Sequence, residues 1–229
     1  MKLLLSVAAP GAAMLAVLAA PALAQDSGVY VGGQLGGNWV LNDSSDFDFG
    51  NGDDVERFGE LNYEAGIMLG LVGGYQVSEN FALEVEATYR TNQVEVLGDV
   101  TPLAREENLG VYGIMANALY LNPLDDTTTL YFGVGAGFMS AEMEEVVVGL
   151  EGGVDISEDP DLEGDFAYQI KVGLDYQLDS GNTFGIGLAY METDFEVSED
   201  VFNALGVGGD EFEIDYGALT GFLTYKFGM

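Results

Sequence analysis

The chain contains no cysteine and no histidine. Without cysteine there are no disulfides and no thiolate metal sites. Without histidine there is no imidazole to serve as a base near neutral pH or to ligate a metal. Proline is scarce at 5 residues, and 6 Lys and Arg stand against 39 Asp and Glu, a formal net charge of -33. So acidic a chain has little with which to neutralise phosphates, which excludes nucleic acid as a partner. The charge does not mark disorder, because 48% of the residues are apolar. Beyond residue 24 no segment approaches 18 continuous apolar residues, so no membrane-spanning helix is expected.

The first 24 residues differ from the rest. They carry one early positive charge at Lys2, an apolar stretch, and Ala22-Leu23-Ala24 before Gln25-Asp26. A charged start, a short apolar region and a small-x-small exit describe a cleaved secretory signal peptide. Pro10, Gly11 and Pro21 interrupt the run and disfavour a membrane anchor. The expected division is a signal peptide over 1–24 and one domain over 25–229.

What the chain does have is alternation. In the stretch 28–41, Val29, Val31, Leu35, Trp39 and Leu41 alternate with Tyr30, Gly32, Gln34, Gly36 and Asn38, a period of two that reads as strand. The pattern recurs and predicts eight strands, over roughly 28–41, 62–77, 80–92, 109–121, 129–141, 165–178, 183–193 and 214–228. In the third, Phe81, Leu83, Val85, Ala87 and Tyr89 oppose Glu84, Glu86, Thr88 and Arg90. In the sixth, Phe166, Tyr168, Ile170, Val172, Leu174 and Tyr176 oppose Gln169, Lys171, Gly173 and Asp175. Connections alternate too: short ones at Ser78-Glu79, around Asn122–Asp125 and at Asp179–Asn182, and four long ones of roughly 15–23 residues. Short turns at one end and long loops at the other make an up-and-down antiparallel meander.

One face of each strand carries no charge over ten or so residues. The other carries Glu64, Glu84, Glu86, Arg90, Lys171, Asp175 and Lys226 among Gly, Gln and Thr. A soluble barrel would have to bury those charges in its core without enough partners. A membrane barrel turns the apolar face to lipid and keeps the polar face inside. Aromatics agree. Tyr75, Phe81, Tyr120, Phe132, Tyr176, Phe184, Tyr225 and Phe227 fall at the short-turn end, and Trp39, Tyr63, Tyr89, Tyr112, Phe138, Tyr168 and Tyr190 at the other. Their separation along tilted strands is about 20 Å, the spacing of two aromatic girdles around an apolar band. The fold class expected is therefore all-β, an eight-stranded antiparallel up-and-down transmembrane β-barrel.

The stretches YVGGQLGGNW (30–39), GYQVSENFALEVEATY (74–89), YGIMANALYLNP (112–123), YFGVGAGF (131–138), FAYQIKVGLDYQL (166–178) and YKF (225–227) together resemble the eight-stranded outer-membrane β-barrel family of Gram-negative bacteria, of the OmpA and OmpX type. The resemblance covers nearly the whole of the chain after residue 24. It implies a monomer in the outer membrane, surrounded by lipid and lipopolysaccharide and inserted by the outer-membrane assembly machinery. It implies no single activity. Two departures stand out: Phe227 is followed by Gly228-Met229 where the family often ends on an aromatic residue, and no appended peptidoglycan-binding domain is expected.

Little in the residues points to catalysis. Enzymatic barrels of this membrane lean on histidine, and there is none. Glu84 and Glu86 share a face about 7 Å apart, but with Arg90, Lys171 and Lys226 nearby they read as part of an interior salt-bridge network. GQLGG, GLVGG and GVGAG lack the following helix of a dinucleotide site; they read as room for bulky neighbours in a narrow barrel. No cofactor is expected. Twenty-nine of the 39 acids fall in four long connections, over 42–60, 93–108, 142–165 and 194–215. They are expected to form a solvated acidic rim facing outward. Divalent cations are the candidate ligands there, with Asp53, Asp54, Glu144 and Glu145 as candidate metal ligands. Two functions compete: a structural or surface-interaction barrel with a plugged lumen, and a small porin-like channel for ions or solutes.

Overall fold

The computed structural model describes residues 28–41, 60–97, 106–143, 161–197 and 212–228. The strands are β1 (Val29–Val40), β2 (Glu60–Tyr63), β3 (Gly66–Ser78), β4 (Phe81–Leu97), β5 (Glu106–Pro123), β6 (Thr128–Met143), β7 (Asp161–Gln177), β8 (Thr183–Val197) and β9 (Phe212–Phe227). Every pairing is antiparallel. β2 and β3 both pair with β4 and share one place in the wall, and the β4–β5 and β1–β9 ladders close the sheet. The result is the expected eight-stranded barrel, with no helix among the described residues.

Alternation decides which way each side chain points. Leu35, Ile67, Leu83, Val85, Ile114, Val134, Ile170 and Ile186 are exposed, while Gln34, Met68, Glu84, Glu86, Met115 and Lys171 are buried. Burying polar groups and exposing Leu, Ile and Val is the reverse of a water-soluble barrel, and it fits a wall that faces lipid. The aromatic belts are visible in the register. Phe81 pairs with Tyr120, and Tyr120 with Phe132; Tyr176 pairs with Phe184, and Phe184 with Tyr225. At the long-loop end Tyr89 pairs with Tyr112, and Phe138 with Phe166. Rings touch edge-on within the belts, with centroids 5.5 Å apart for Phe81–Tyr120 and 4.9 Å for Tyr225–Phe227.

Two expectations change. The strands run further toward the long-loop end than alternation alone indicated: β4 reaches Leu97, β5 starts at Glu106, and β8 reaches Val197. Backbone pairing continues there after the side chains have become mostly polar, so part of the expected loops is barrel wall. The second change is local. β2 and β3 are separated by Glu64 and Ala65, which together stand opposite Gln93, with the Glu64 N–H donating to the Gln93 carbonyl at 2.9 Å. One extra residue reverses the facing of all that follows. Tyr63, expected in the outer girdle, instead packs against the apolar cluster inside the barrel. Glu64, expected in the lumen, is exposed.

Candidate functional site in the barrel lumen

An eight-stranded barrel is just wide enough for its interior to be filled by side chains. Here a repeated device fills it. An inward glycine on one strand lets side chains from the two flanking strands meet over it. Tyr30 pairs in register with Gly74, and Gly74 with Glu84. The Tyr30 ring lies across Gly74, where a Cβ would stand 2.2 Å from Cζ, and its hydroxyl donates to Glu84 Oε1 at 2.9 Å. Asn117, Gly135 and Gln169 form another such row, and Gln169 Nε2 donates to Asn117 Oδ1 at 2.6 Å. The inward glycines read from the sequence as room for bulky neighbours are these steps.

Five ionised side chains form a zigzag across the lumen. Glu86 on β4 pairs with Lys171 on β7, which also lies 3.6 Å from Glu84; Glu84 lies 3.4 Å from Lys226 on β9; Lys226 lies 2.8 Å from Asp175 on β7. All five are buried, at 5% exposure or less. Both ammonium groups also sit over rings, Lys171 at 5.4 Å from the Phe222 centroid and Lys226 at 5.2 and 5.3 Å from those of Tyr30 and Tyr131. Such contacts stabilise a desolvated cation. Glu84 and Glu86 are thus held by lysines, which leaves neither as a free acid or base. Side chains of both signs thus meet across the bore in this half of the lumen.

Arg90 stands apart. It is 1% exposed, and its Nη1 donates to Thr88 Oγ1 at 2.7 Å. Among the described residues it forms no ion pair. The expected mutual pairing of Glu84, Glu86, Arg90 and Lys171 is therefore corrected at Arg90. Lys171 reaches across from the opposite wall and takes Glu86, while the guanidinium is held by the hydroxyl two positions below it on its own strand. Arg90 still matters for the total: three buried cations, Lys171, Lys226 and Arg90, match the three buried carboxylates.

Toward the long-loop end the interior changes character. Asn38, Asn92, Tyr216 and Thr220 form a neutral network on one side. Asn38 Nδ2 donates to Asn92 Oδ1 at 2.7 Å and to the Tyr216 hydroxyl at 3.0 Å, and Thr220 Oγ1 donates to Asn38 Oδ1 at 2.7 Å. Opposite, Leu109, Val111, Met115, Met139, Met191 and Phe195 make an apolar cluster with Tyr216, against which Val40 and Tyr63 pack. The sequence reading expected a polar interior throughout and missed this cluster. Its signal was present: Met115, Met139 and Met191 sit at inward parity, between outward residues such as Ile114, Phe138 and Tyr190. The remaining girdle residues lie on the outer wall; Tyr190 is half-buried, its hydroxyl donating to Glu192 Oε2 at 3.1 Å, and Phe227 is half-buried against Tyr225. Two depressions of about 760 and 700 Å³ also lie on the outer wall, lined largely by glycine and apolar residues such as Gly73, Leu83, Val134, Leu35 and Leu223. No group of three or more acidic side chains suited to a metal occurs among the described residues. The candidate ligands Asp53, Asp54, Glu144 and Glu145 lie outside them, as does the segment 1–24.

Apolar outside, polar or filled inside, belted by aromatics and closed on itself: these features define an integral barrel of the bacterial outer membrane. The family model described as the outer membrane protein beta-barrel domain matches residues 11–227, and the chain belongs to that family. Among solved structures it is similar to the outer membrane protein OprG from Pseudomonas aeruginosa, with 18% identity, 90% of this chain and 98% of that one covered, and a TM-score of 0.59. It is similar to AlkL in lipid bilayers, with 15% identity, coverage of 89% and 90%, and a TM-score of 0.55. It is also similar to Neisserial surface protein A, with 13% identity, coverage of 89% and 98%, and a TM-score of 0.53. No curated protein matches the sequence. At these identities the likeness concerns the fold.

Proposed function

We propose that the chain is a non-enzymatic, monomeric outer-membrane barrel whose role is structural or surface-interacting, with a lumen closed to solutes and long acidic loops on the outer face. On this reading residues 1–24 are a signal peptide removed on export, the assembly machinery inserts the chain, and lipid and lipopolysaccharide surround it. One observation carries the reading. The zigzag Glu86–Lys171–Glu84–Lys226–Asp175 crosses the bore with every member buried, and a buried ion pair once formed is costly to open. The test is swelling of barrel-containing vesicles in sugars and small amino acids. Swelling no faster than in empty vesicles is expected; rapid uptake would establish a porin-like channel instead. Orientation is tested separately. A tag inserted near Gly152 should be reached by antibody on intact cells, and one after Met229 should not.

A second reading, a solute channel, is favoured by one feature of the long-loop half. β1 pairs with β3 only up to Asn38–Gly66, while β2 pairs with β4 alone. Among the described residues the β1–β2 edge therefore has no ladder beside the apolar cluster that Val40 and Tyr63 join. Uptake of an apolar solute, with none of a sugar, would favour this reading.

A further inference from the structure

One contact of the zigzag brings together the parts of a condensation. Lys226 Nζ lies 2.8 Å from Asp175 Oδ2 and 3.4 Å from Glu84 Oε1. A carbonyl bond adds about 1.2 Å at most, so the nitrogen is within about 4 Å of Asp175 Cγ. Glu84 Oε1 also accepts from the Tyr30 hydroxyl at 2.9 Å, which fixes it beside the ammonium. The rings of Tyr30 and Tyr131, with centroids 5.2 and 5.3 Å from Nζ, flank its other sides. Lys226, Asp175, Glu84, Tyr30 and Tyr131 are each at most 4% exposed.

The register explains why an amine and a carboxyl from different strands meet. Asp175 stands on β7 and Lys226 on β9, with β8 between them. Asp175 has Gly185 as its partner on β8, and its Oδ1 lies over that glycine. Lys226 has Gly32 as its partner on β1, where a Cβ would stand 3.1 Å from Lys226 Cγ. Glycine on either side thus lets both side chains lean into the same space.

In water such a pair stays ionic. Three conditions differ here. Oriented groups react as if at effective molarities of about 10⁵–10⁸ M. Burial keeps out water, which is both the solvent of the ions and the product of their condensation. Exchange of two buried charges for a neutral amide also removes their desolvation cost. The charge balance survives the exchange, since Glu84 and Glu86 remain against Lys171 and Arg90.

We propose that Lys226 and Asp175 condense in the folded barrel to an intramolecular amide, a covalent tie between β7 and β9 across the lumen. The Lys226 ammonium passes a proton through Glu84 to the Asp175 carboxylate, which leaves a neutral amine and a neutral acid. The Nζ lone pair forms a bond to Cγ. Glu84 takes a second proton from nitrogen and delivers it to the departing hydroxyl; the carbon–oxygen bond breaks and one water leaves. Nothing is oxidised or reduced, and the net charge is unchanged. Held between two lysines, Glu84 is not available to a solute; it moves protons only within the cluster. The tie goes beyond the closed-lumen reading, which holds with or without it.

The test is the mass of the full barrel purified from outer membranes and then completely denatured. A mass lower than that of Lys226→Arg, after allowance for the substitution, by one water is expected. Arginine keeps the positive charge but does not condense. Glu84→Gln should lose most or all of the effect, and Lys171→Arg should keep it. Protease digestion should give one branched peptide that joins the segments bearing Asp175 and Lys226. Heat-modifiable migration in gel electrophoresis checks that the variants fold. The wild type supplies a comparison that needs no variant: chain collected unfolded should have the full mass and should lose water only after refolding. Full mass in the native barrel would overturn the proposal. So would a water loss already present before folding, or a branch that joins Lys171 to Glu86 instead.

Discussion

The two halves of the lumen solve the same packing problem with different chemistry. The short-turn half holds three carboxylates and two lysines braced by Tyr30, Tyr131 and Phe222. The long-loop half holds Met115, Met139, Met191, Val111 and Phe195 beside a neutral amide–hydroxyl network. The two chemistries are not divided by depth alone. Met115 of the apolar cluster is the register partner of Glu86 on the neighbouring strand, and the cluster continues from there past the outer belt to Leu109, beyond Tyr112, and Phe195, beyond Tyr190. Between the belts the outer face is apolar, so the polar residues of each strand's alternation turn inward, where they share the interior with methionine and aromatic side chains.

The comparison breaks most sharply at Lys171. Lys171→Met strands Glu84 and Glu86 beside a single remaining lysine and should cost about 3–5 kcal/mol, the usual penalty for removing one partner of a buried pair. Urea unfolding of the detergent-solubilised barrel measures it, and Lys171→Met combined with Glu86→Leu should regain much of the loss. In the other half, Met139→Ala should cost about 2–5 kcal/mol through a cavity, with no dependence on pH or on a compensating charge change. Rescue of Met139→Ala by a compensating charge change would erase the distinction.

Arg90 sharpens the boundary between the halves. With one hydroxyl bond and no ion pair among the described residues, Arg90→Met should cost about 1.5–3 kcal/mol, clearly less than Lys171→Met. An equal loss would show that Arg90 belongs to the ion-pair zigzag. Asn38→Ala should cost about 1–3 kcal/mol by leaving Asn92, Tyr216 and Thr220 short of partners, and the loss should be insensitive to substitutions at Lys171 or Lys226.

The smallest effect is expected outside the membrane, in the short turn. Asp125 accepts from the Thr127 backbone N–H at 2.8 Å, from the Thr127 hydroxyl at 2.9 Å and from the Thr128 N–H at 2.8 Å. These bonds, that from the Thr127 backbone first, hold its carboxyl below the usual carboxylate range. A carboxylate depressed on folding contributes its stability in full above the unfolded pKa and loses it as pH falls through the folded one. The difference between the wild type and Asp125→Ala should therefore be present at neutral pH and vanish on acidification below the ordinary aspartate range. A difference that persisted in acid would mean the turn is held by something other than the charge.

Sequence alone determined the wall. A period of two fixes which residues share a face, and the uncharged face with its two aromatic belts fixes that this face meets lipid. Lys171, Lys226, Asp175, Glu84 and Glu86 were legible as inward from parity. What parity does not encode is register between strands distant in the chain, and three features depended on it. The glycine steps exist because Tyr30, Gly74 and Glu84 fall in one row. Lys171 wins Glu86 from Arg90 because barrel closure brings β7 across from β4, whereas Arg90 finds Thr88 on its own strand. Tyr63 turns inward and Glu64 outward because a single extra residue opposite Gln93 reverses the alternation. Each is a consequence of closing the sheet, an event between strands that no single strand's pattern contains.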